Sequence, residues 1–283
     1  MPKPADSFPS PAAPAGVPLL IRDLVHERAG IFFESDRFDT MLDKLVDRAR
    51  VRGCHSYLDY YYLLKYEDPD RSEWLRVMDA FSVQETYFWR EYAQIGALTT
   101  HLVPRWFADT RAPLLIWSAA CASGEEPISL AIALREAGWG DHPITIVASD
   151  ASEAALDKAR AGIYRDRSFR SLPESLRERY FEPVERGWRV RRNLLLPIAY
   201  QRANLIEPAE IGLLATAPVV FCRNVFIYFS PDSIRRTVAT FAERMPAGGH
   251  LFVGSPESLV KLTNDFELSE IADAFVYRRK PRS

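Results

Sequence analysis

Trp117-Ser-Ala-Ala-Cys-Ala-Ser-Gly-Glu-Glu-Pro127 is the stretch on which the fold turns. An apolar strand at 114–117 runs into small residues, then Gly124, two carboxylates, and an amphipathic helix over 128–137. A strand that feeds a small-residue loop into a helix is the first unit of a nucleotide-binding α/β sheet. The loop has neither G-x-G-x-x-G nor Gly-Lys-Ser/Thr, so it is not built to cradle a pyrophosphate or triphosphate. Glu125 and Glu126 would repel a phosphate. A phosphate-free nucleoside of cationic character fits better, and S-adenosylmethionine, with its sulfonium and ammonium, is such a molecule.

The next element agrees. Ile144-Thr-Ile-Val-Ala-Ser-Asp150 is a β-branched strand ending in a carboxylate, 26 residues past Gly124. In dinucleotide folds an acid about 20 residues past the glycine loop takes the ribose hydroxyls. Asp150 stands close to that place. The competing role is a cap on the helix that begins near Ser152, with Glu153 as capping-box partner, and both roles can coexist.

The 283 residues are 47% apolar, enough for two domains with their own cores. The formal net charge of -2 disfavours nonspecific nucleic-acid binding. Cys54, Cys121 and Cys222 form neither a disulfide framework nor a metal-ligand spacing. No apolar run reaches the 18 or so residues of a transmembrane helix, and the Pro- and Ala-rich start lacks a signal-peptide core. A cytoplasmic protein with no membrane insertion is expected.

Four regions follow from patterning. Residues 1–18 read as a disordered tail. Residues 19–109 read as an N-terminal helical domain, with apolar residues at three- and four-residue spacing such as Leu24, Val25, Met41, Leu42, Leu45 and Ala49. Residues 110–283 alternate strands with helices, which implies a mostly parallel sheet. Within them, 179–203 interrupts the alternation and reads as a small antiparallel insert of three strands, at 180–184, 188–192 and 198–202. The runs at 266–270 and 274–278 read as a terminal antiparallel pair.

Three more segments then matter: Ser82-Val-Gln-Glu-Thr-Tyr-Phe-Trp-Arg90, Ala203-Asn-Leu-Ile206, and Phe221-Cys-Arg-Asn-Val-Phe-Ile-Tyr-Phe229. With the opening loop, and in this order over about residues 20–280, they closely resemble the CheR family of chemotaxis receptor methyltransferases. The resemblance implies an α/β fold of the class I methyltransferase (Rossmann-like) type behind an all-α N-terminal domain. It implies S-adenosylmethionine as cofactor and S-adenosylhomocysteine as product. It also implies methylation of glutamates in the cytoplasmic helical domain of chemoreceptors, their methylation region. The cofactor contacts it implies fall on Gln84, Thr86, Arg90, Glu126, Asp150, Asn204, Leu205, Asn224 and Val225. Gln84 stands where the family has Asn, and Trp89 replaces a Phe. Of the two loop acids, spacing favours Glu126.

A glutamate nucleophile has a reference pKa near 4.3 and is ionised at neutral pH, so no general base is required. The five histidines follow no triad or metal pattern, and no metal is expected. Arg90 and Tyr228 are the catalytic candidates, Arg90 to hold a carboxylate or orient the cofactor and Tyr228 to donate a hydrogen bond near the transfer point. Thr86 and Arg90 share a face if their segment is helical. Taken singly, Arg90 could be a salt bridge, Tyr228 core packing and Asn224 a turn residue; together, in family order, they read as functional.

Between residues 163 and 202 there are ten arginines against five acids. Lys44, Arg48 and Arg52 form a stripe beside an apolar helix face, a match for a Glu- and Gln-rich receptor helix. The other reading is a solvated face with i,i+4 pairs. Relatives that tether to a receptor C-terminal pentapeptide carry a longer loop in the insert than the short turn Glu185-Arg-Gly187, so independence from that peptide is expected. A monomer is also expected. The alternatives are a class I methyltransferase for another substrate, and a non-catalytic module that binds S-adenosylmethionine or receptor within a signalling array.

Overall fold

The computed structural model describes residues 16–83 and 85–281; most of the proline-rich tail, and Gln84, lie outside the described residues. Four helices come first: α1 Val17–Ala29, α2 Phe38–Val51, α3 Tyr57–Tyr66 and α4 Ser72–Phe81. Helix α1 takes in Val17 and Pro18, which composition had placed with the tail; Val17 is buried, and Pro18 sits in the first turn, where no N–H is needed. The four helices enclose a core that includes Ile21, Val25, Met41, Leu42, Leu45, Tyr60 and Val77, the residues at helical spacing.

A carboxylate lies inside that core. Glu73, 2% exposed, accepts from Arg48 Nη2 at 2.6 Å, Arg48 Nε at 3.0 Å and Tyr60 Oη at 2.6 Å. Arg48 is therefore turned into the bundle and is not one of a free stripe. Lys44 donates to the Ala80 carbonyl at 3.3 Å, and Arg52 approaches Glu73 at 3.8 Å. A buried carboxylate needs a cation, and the cation nearest in the sequence pattern is used for that purpose.

Helices α5 Tyr92–Ala97 and α6 Val103–Asp109, joined by a π turn at Leu98–Leu102, pack elsewhere. Ile95, Leu98, Leu102 and Val103 share a core with Leu114, Ile116, Leu134 and Ile146. This helical stretch belongs with the sheet by packing, although its periodicity continues that of the preceding helices.

The remaining elements are β1 Leu114–Ala119, α7 Glu125–Glu136, β2 Ile144–Asp150, α8 Glu153–Ala161, β3 Ile163–Tyr164, α9 Glu174–Tyr180, β4 Phe181–Val184 and β5 Gly187–Val190. After them come β6 Ile198–Arg202, α10 Pro208–Ile211, β7 Val219–Cys222, α11 Pro231–Arg244, β8 His250–Phe252, β9 Phe266–Ile271 and β10 Ala274–Arg279. The main sheet has seven strands in the order β6-β2-β1-β7-β8-β10-β9. The five strands from β6 to β8 are parallel, and β10 runs antiparallel to both β8 and β9. Central strand β7 is buried throughout, as a parallel strand covered on both faces must be.

Two expectations are corrected. The insert does not contain the strand at 198–202. That strand, β6, pairs in parallel with β2, from Ile146↔Ile198 to Asp150↔Arg202. The insert is the three-stranded sheet β3-β5-β4, whose third strand, Ile163–Tyr164, lies upstream of the range 179–203. Two residues are too short a run to show alternation, and Ile198 packs under α7 with Leu195 and Leu196. Helix α7 begins at Glu125, three residues before its expected start, and is buried on nearly every side. It is held between the sheet and the insert, where Ile128 and Ile132 meet Phe88, Tyr164 and Phe181.

Candidate active site

The carboxyl ends of β1, β2, β6 and β7 converge on one cleft, the place where open α/β sheets bind ligands. The helical bundle roofs it. The result is a cavity of about 300 Å³. Ala120, Ala122, Asp150, Asn204, Leu205, Asn224, Val225 and Tyr228 wall it from the sheet side, and Ile31, Phe33, Lys44, Met78 and Phe81 from the bundle.

Short hydrogen bonds fasten the bundle over the cleft. Phe32 N donates to the Tyr228 carbonyl at 2.9 Å, and Asn204 Nδ2 donates to the Arg28 carbonyl at 2.7 Å. Asp79 accepts from Ser152 Oγ at 2.8 Å and from Ala154 N at 3.1 Å, so a bundle residue caps a helix of the sheet unit. His26 Nε2 lies 2.7 Å from Ser230 Oγ.

The loop after β1 is strained where it meets the cavity. Ala120 and Ala122 have φ of 55° and 48°, the left-handed region that L-residues avoid. Asn224, at φ of 58°, shares the feature, so three of the seven such non-glycine residues among those described line this cavity. Gly124 serves a different end. Its φ is 92°, and an added Cβ would stand 2.8 Å from Ala159 Cβ, so the glycine lets α7 start against α8.

Asp150 is buried and braced. Its Oδ2 accepts from Ala122 N and its Oδ1 from Ser152 N, each at 2.9 Å. Ser152 itself is the cap of α8, accepting from Ala155 N at 3.1 Å. Asp150 is thus free of the capping role and keeps lone pairs for the cavity. Burial pushes its carboxyl above the usual Asp range, against the opposing pull of those N–H groups.

The sequence-derived residues separate into two groups. Asp150, Asn204, Leu205, Asn224, Val225 and Tyr228 meet at the cavity. Gln84 lies outside the described residues, though its neighbour Val83 lines the wall. Thr86 and Arg90 do not line the cavity; they lie on an extended segment and turn and not on a helix, so the shared-face argument does not apply. The turn forms because Phe88, fully buried among Tyr164, Phe169 and Phe181, anchors it in the insert, with Phe88 N donating to the Ser168 carbonyl at 2.9 Å. Arg90 Nη1 donates to the Glu85 carbonyl at 2.9 Å. Burial raises the Tyr228 phenol above its ordinary value, and the Arg90 charge pulls it back down. The hydroxyl therefore stays protonated at neutral pH, able to donate.

Glu126 does not wall the cavity. Its carboxylate accepts from Ser118 Oγ and from Arg223 Nε, each at 2.6 Å. Arg223, its side chain 2% exposed, also donates to the Arg90 carbonyl at 2.9 Å and to Gln94 Oε1 at 3.2 Å. Arg223 was not singled out from the sequence, although it stands inside the quoted Phe221–Phe229 segment beside Asn224. Glu125 faces the other way, toward Ser123 Oγ at 2.7 Å and Ser168 Oγ at 3.0 Å.

The donor set suits S-adenosylmethionine. Asp150 offers acceptors for ribose hydroxyls, apolar residues from both units can sandwich a base, and the small loop residues allow close approach of backbone. Asp150→Ala should weaken S-adenosylhomocysteine binding roughly ten- to hundredfold, the worth of a charge-assisted hydrogen bond of about 1.5–3 kcal/mol. Calorimetric titration measures it, and unchanged affinity would reduce Asp150 to a brace for the loop. The raised pKa sets the sign of the pH effect. Ionised Asp150 costs the free protein stability above its folded pKa, and protonation on acidification relieves that cost while removing the acceptor. Affinity should begin to fall at a pH where an ordinary Asp is still ionised, and Asp150→Asn should lack that step.

Comparison with known proteins gives a consistent picture. Residues 84–275 match the family described as CheR methyltransferase, SAM binding domain, and residues 19–82 match its all-alpha domain. The chain is 31% identical to chemotaxis protein methyltransferase 2 of Vibrio cholerae over 261 residues, covering 90% of each. It is 34% identical to the chemotaxis protein methyltransferase of Klebsiella aerogenes, over 88% of this chain and 85% of the relative. The Escherichia coli protein of the same name is 32% identical, over 88% and 86%.

Proposed function

The chain belongs to the CheR methyltransferase family and is an S-adenosylmethionine-dependent methyltransferase of chemotaxis; we propose that it esterifies glutamate side chains in the methylation region of chemoreceptors. The observation that carries the reading is the joint wall of one cavity: Asp150, Asn204 and Asn224 for the cofactor, with Tyr228 at the same cavity and Arg90 close enough to perturb its phenol.

The cofactor supplies an electrophilic methyl on a sulfonium. The protein's task is placement. A glutamate arrives already ionised, so catalysis rests on holding its oxygen in line with the methyl. Tyr228 donates a hydrogen bond, and Arg90 supplies a positive field for the incoming carboxylate. The buried Arg223–Glu126 pair ties the β7 loop to the start of α7 and, through the Arg90 carbonyl, to the Arg90 turn. Methyl transfer from labelled cofactor into receptor-enriched membranes, with label released by base, tests the reading. Label that resists base, or none incorporated, would reject it. A silent binding module would have no reason to keep Arg90, Asp150 and Tyr228 together.

The proposal extends to how the receptor is met. It takes the enzyme to act as a monomer in the cytoplasm; among the described residues, no helix is long and apolar enough to cross a membrane. The insert offers an edge at β4, but its hairpin turn is two residues, between Val184 and Gly187. Pro183, within that edge strand, has no N–H to give an added strand. Both features support independence from a receptor C-terminal pentapeptide. Titration with the isolated pentapeptide should give no saturable binding, and low-micromolar affinity would overturn this point alone. The arginines of the insert add electrostatic attraction to an acidic receptor helix.

A further inference from the structure

We propose that Glu257 is a positioning residue that fixes the Asn224–Tyr228 turn, and through it the relation between Tyr228 and the Arg90 turn. The proposal rests on the reading of this turn as part of the cofactor and transfer site.

Glu257 lies in the loop after β8, outside the segments that identified the site. Its carboxylate accepts four backbone N–H groups. Oε2 takes Asn224 N at 2.8 Å and Gly254 N at 2.6 Å. Oε1 takes Phe226 N at 2.7 Å and Ile227 N at 3.3 Å. Three of these donors belong to the turn that carries Asn224, Val225 and Tyr228. The turn needs such support. Asn224 has φ of 58°, and the N–H groups of a short turn have no partners of their own. An ionised carboxylate accepts on both oxygens and brings no competing donor.

A second carboxylate extends the clamp. Glu91, adjacent to Arg90 and itself at φ of 52°, accepts from Ser255 N at 3.2 Å and from Asn224 Nδ2 at 3.4 Å. The turn after β8 is thereby held between the Arg90 side and the Tyr228 side. Gly254 is required for the fit, because an added Cβ would stand 2.4 Å from Asn224 Nδ2. No part of Glu257 lines the cavity, so it acts through the turn and not on the cofactor.

Glu257→Gln keeps the size and turns one oxygen into a donor that faces N–H groups. S-adenosylhomocysteine affinity should fall roughly tenfold or more as the turn shifts, and turnover by up to about a hundredfold. The diagnostic readout is coupling. In an Asn224→Ala background, Glu257→Gln should add less than about a threefold loss of affinity, since the turn it positions has already lost that contact. Affinity within about twofold of the parent, or losses that multiply in the double variant, would overturn the proposal. Should Glu257→Gln fail to fold, Gly254→Ala displaces Asn224 from the other side and is held to the same two criteria. Because binding is read without any receptor, these outcomes stand apart from success or failure of the methylation assay.

Discussion

Arg90→Ala should lower the turnover of methyl transfer by roughly 10²–10³-fold, the usual cost of removing one preorganised electrostatic group from a reacting centre. The guanidinium makes a hydrogen bond to the Glu85 carbonyl and lies 5.6 Å from the centre of the Tyr87 ring. Neither contact holds the core. The turn is anchored by Phe88 and by the Arg90 carbonyl, which accepts from Arg223, and truncation at Cβ leaves both intact. Folding should therefore be unchanged while the positive field on Tyr228 and on an incoming carboxylate is lost. Steady-state rates with labelled cofactor, beside thermal melting, separate the two. Near-parental turnover would return Arg90 to a surface role.

Arg48→Glu should destabilise the helical bundle by about 3–5 kcal/mol, because it strips a buried carboxylate of its cation and brings a second negative charge against it. The patterning of α2 offers Arg48 as one of three cations awaiting an acidic partner. Instead the partner is internal: Glu73, with Tyr60 as third member. Urea unfolding followed by far-ultraviolet circular dichroism should show an early loss of helix. A variant as stable as the parent would mean that Arg52, 3.8 Å from Glu73, takes over the pairing at little cost. Lys44, which reaches the cavity wall, remains the better residue on this helix for testing receptor contact.

Most of the candidate site was legible because its residues lie in four short segments whose order and spacing are themselves the signal. The acid at the end of β2 and the amide pair after β6 and β7 are where a parallel sheet must present its ligand groups. The Arg90 turn was legible as a motif but not as a shape. Its conformation comes from Phe88 reaching into the insert, a contact across 80 residues of chain to Ser168. Arg223 and Glu257 escaped notice for a similar reason. A buried arginine and a carboxylate that accepts backbone N–H groups look like any surface charge until their partners are known.

The sequence by itself determined the class of fold, the strands β1, β2, β7 and β8 of the parallel sheet, the helical nature of α1 to α4 and the residue types at the strand ends. Those follow from hydrophobic period and from local residue type, which act over a few residues. Tertiary structure alone decided that β6 joins the main sheet while the two-residue β3 completes the insert. It decided that the helices before β1 belong to the sheet's core, and that Glu126 pairs with Arg223. In each case the outcome depends on which of several equally apolar or equally charged partners is closest after folding. Pairing free energy between distant segments leaves no period along the chain, so only the folded arrangement reveals it.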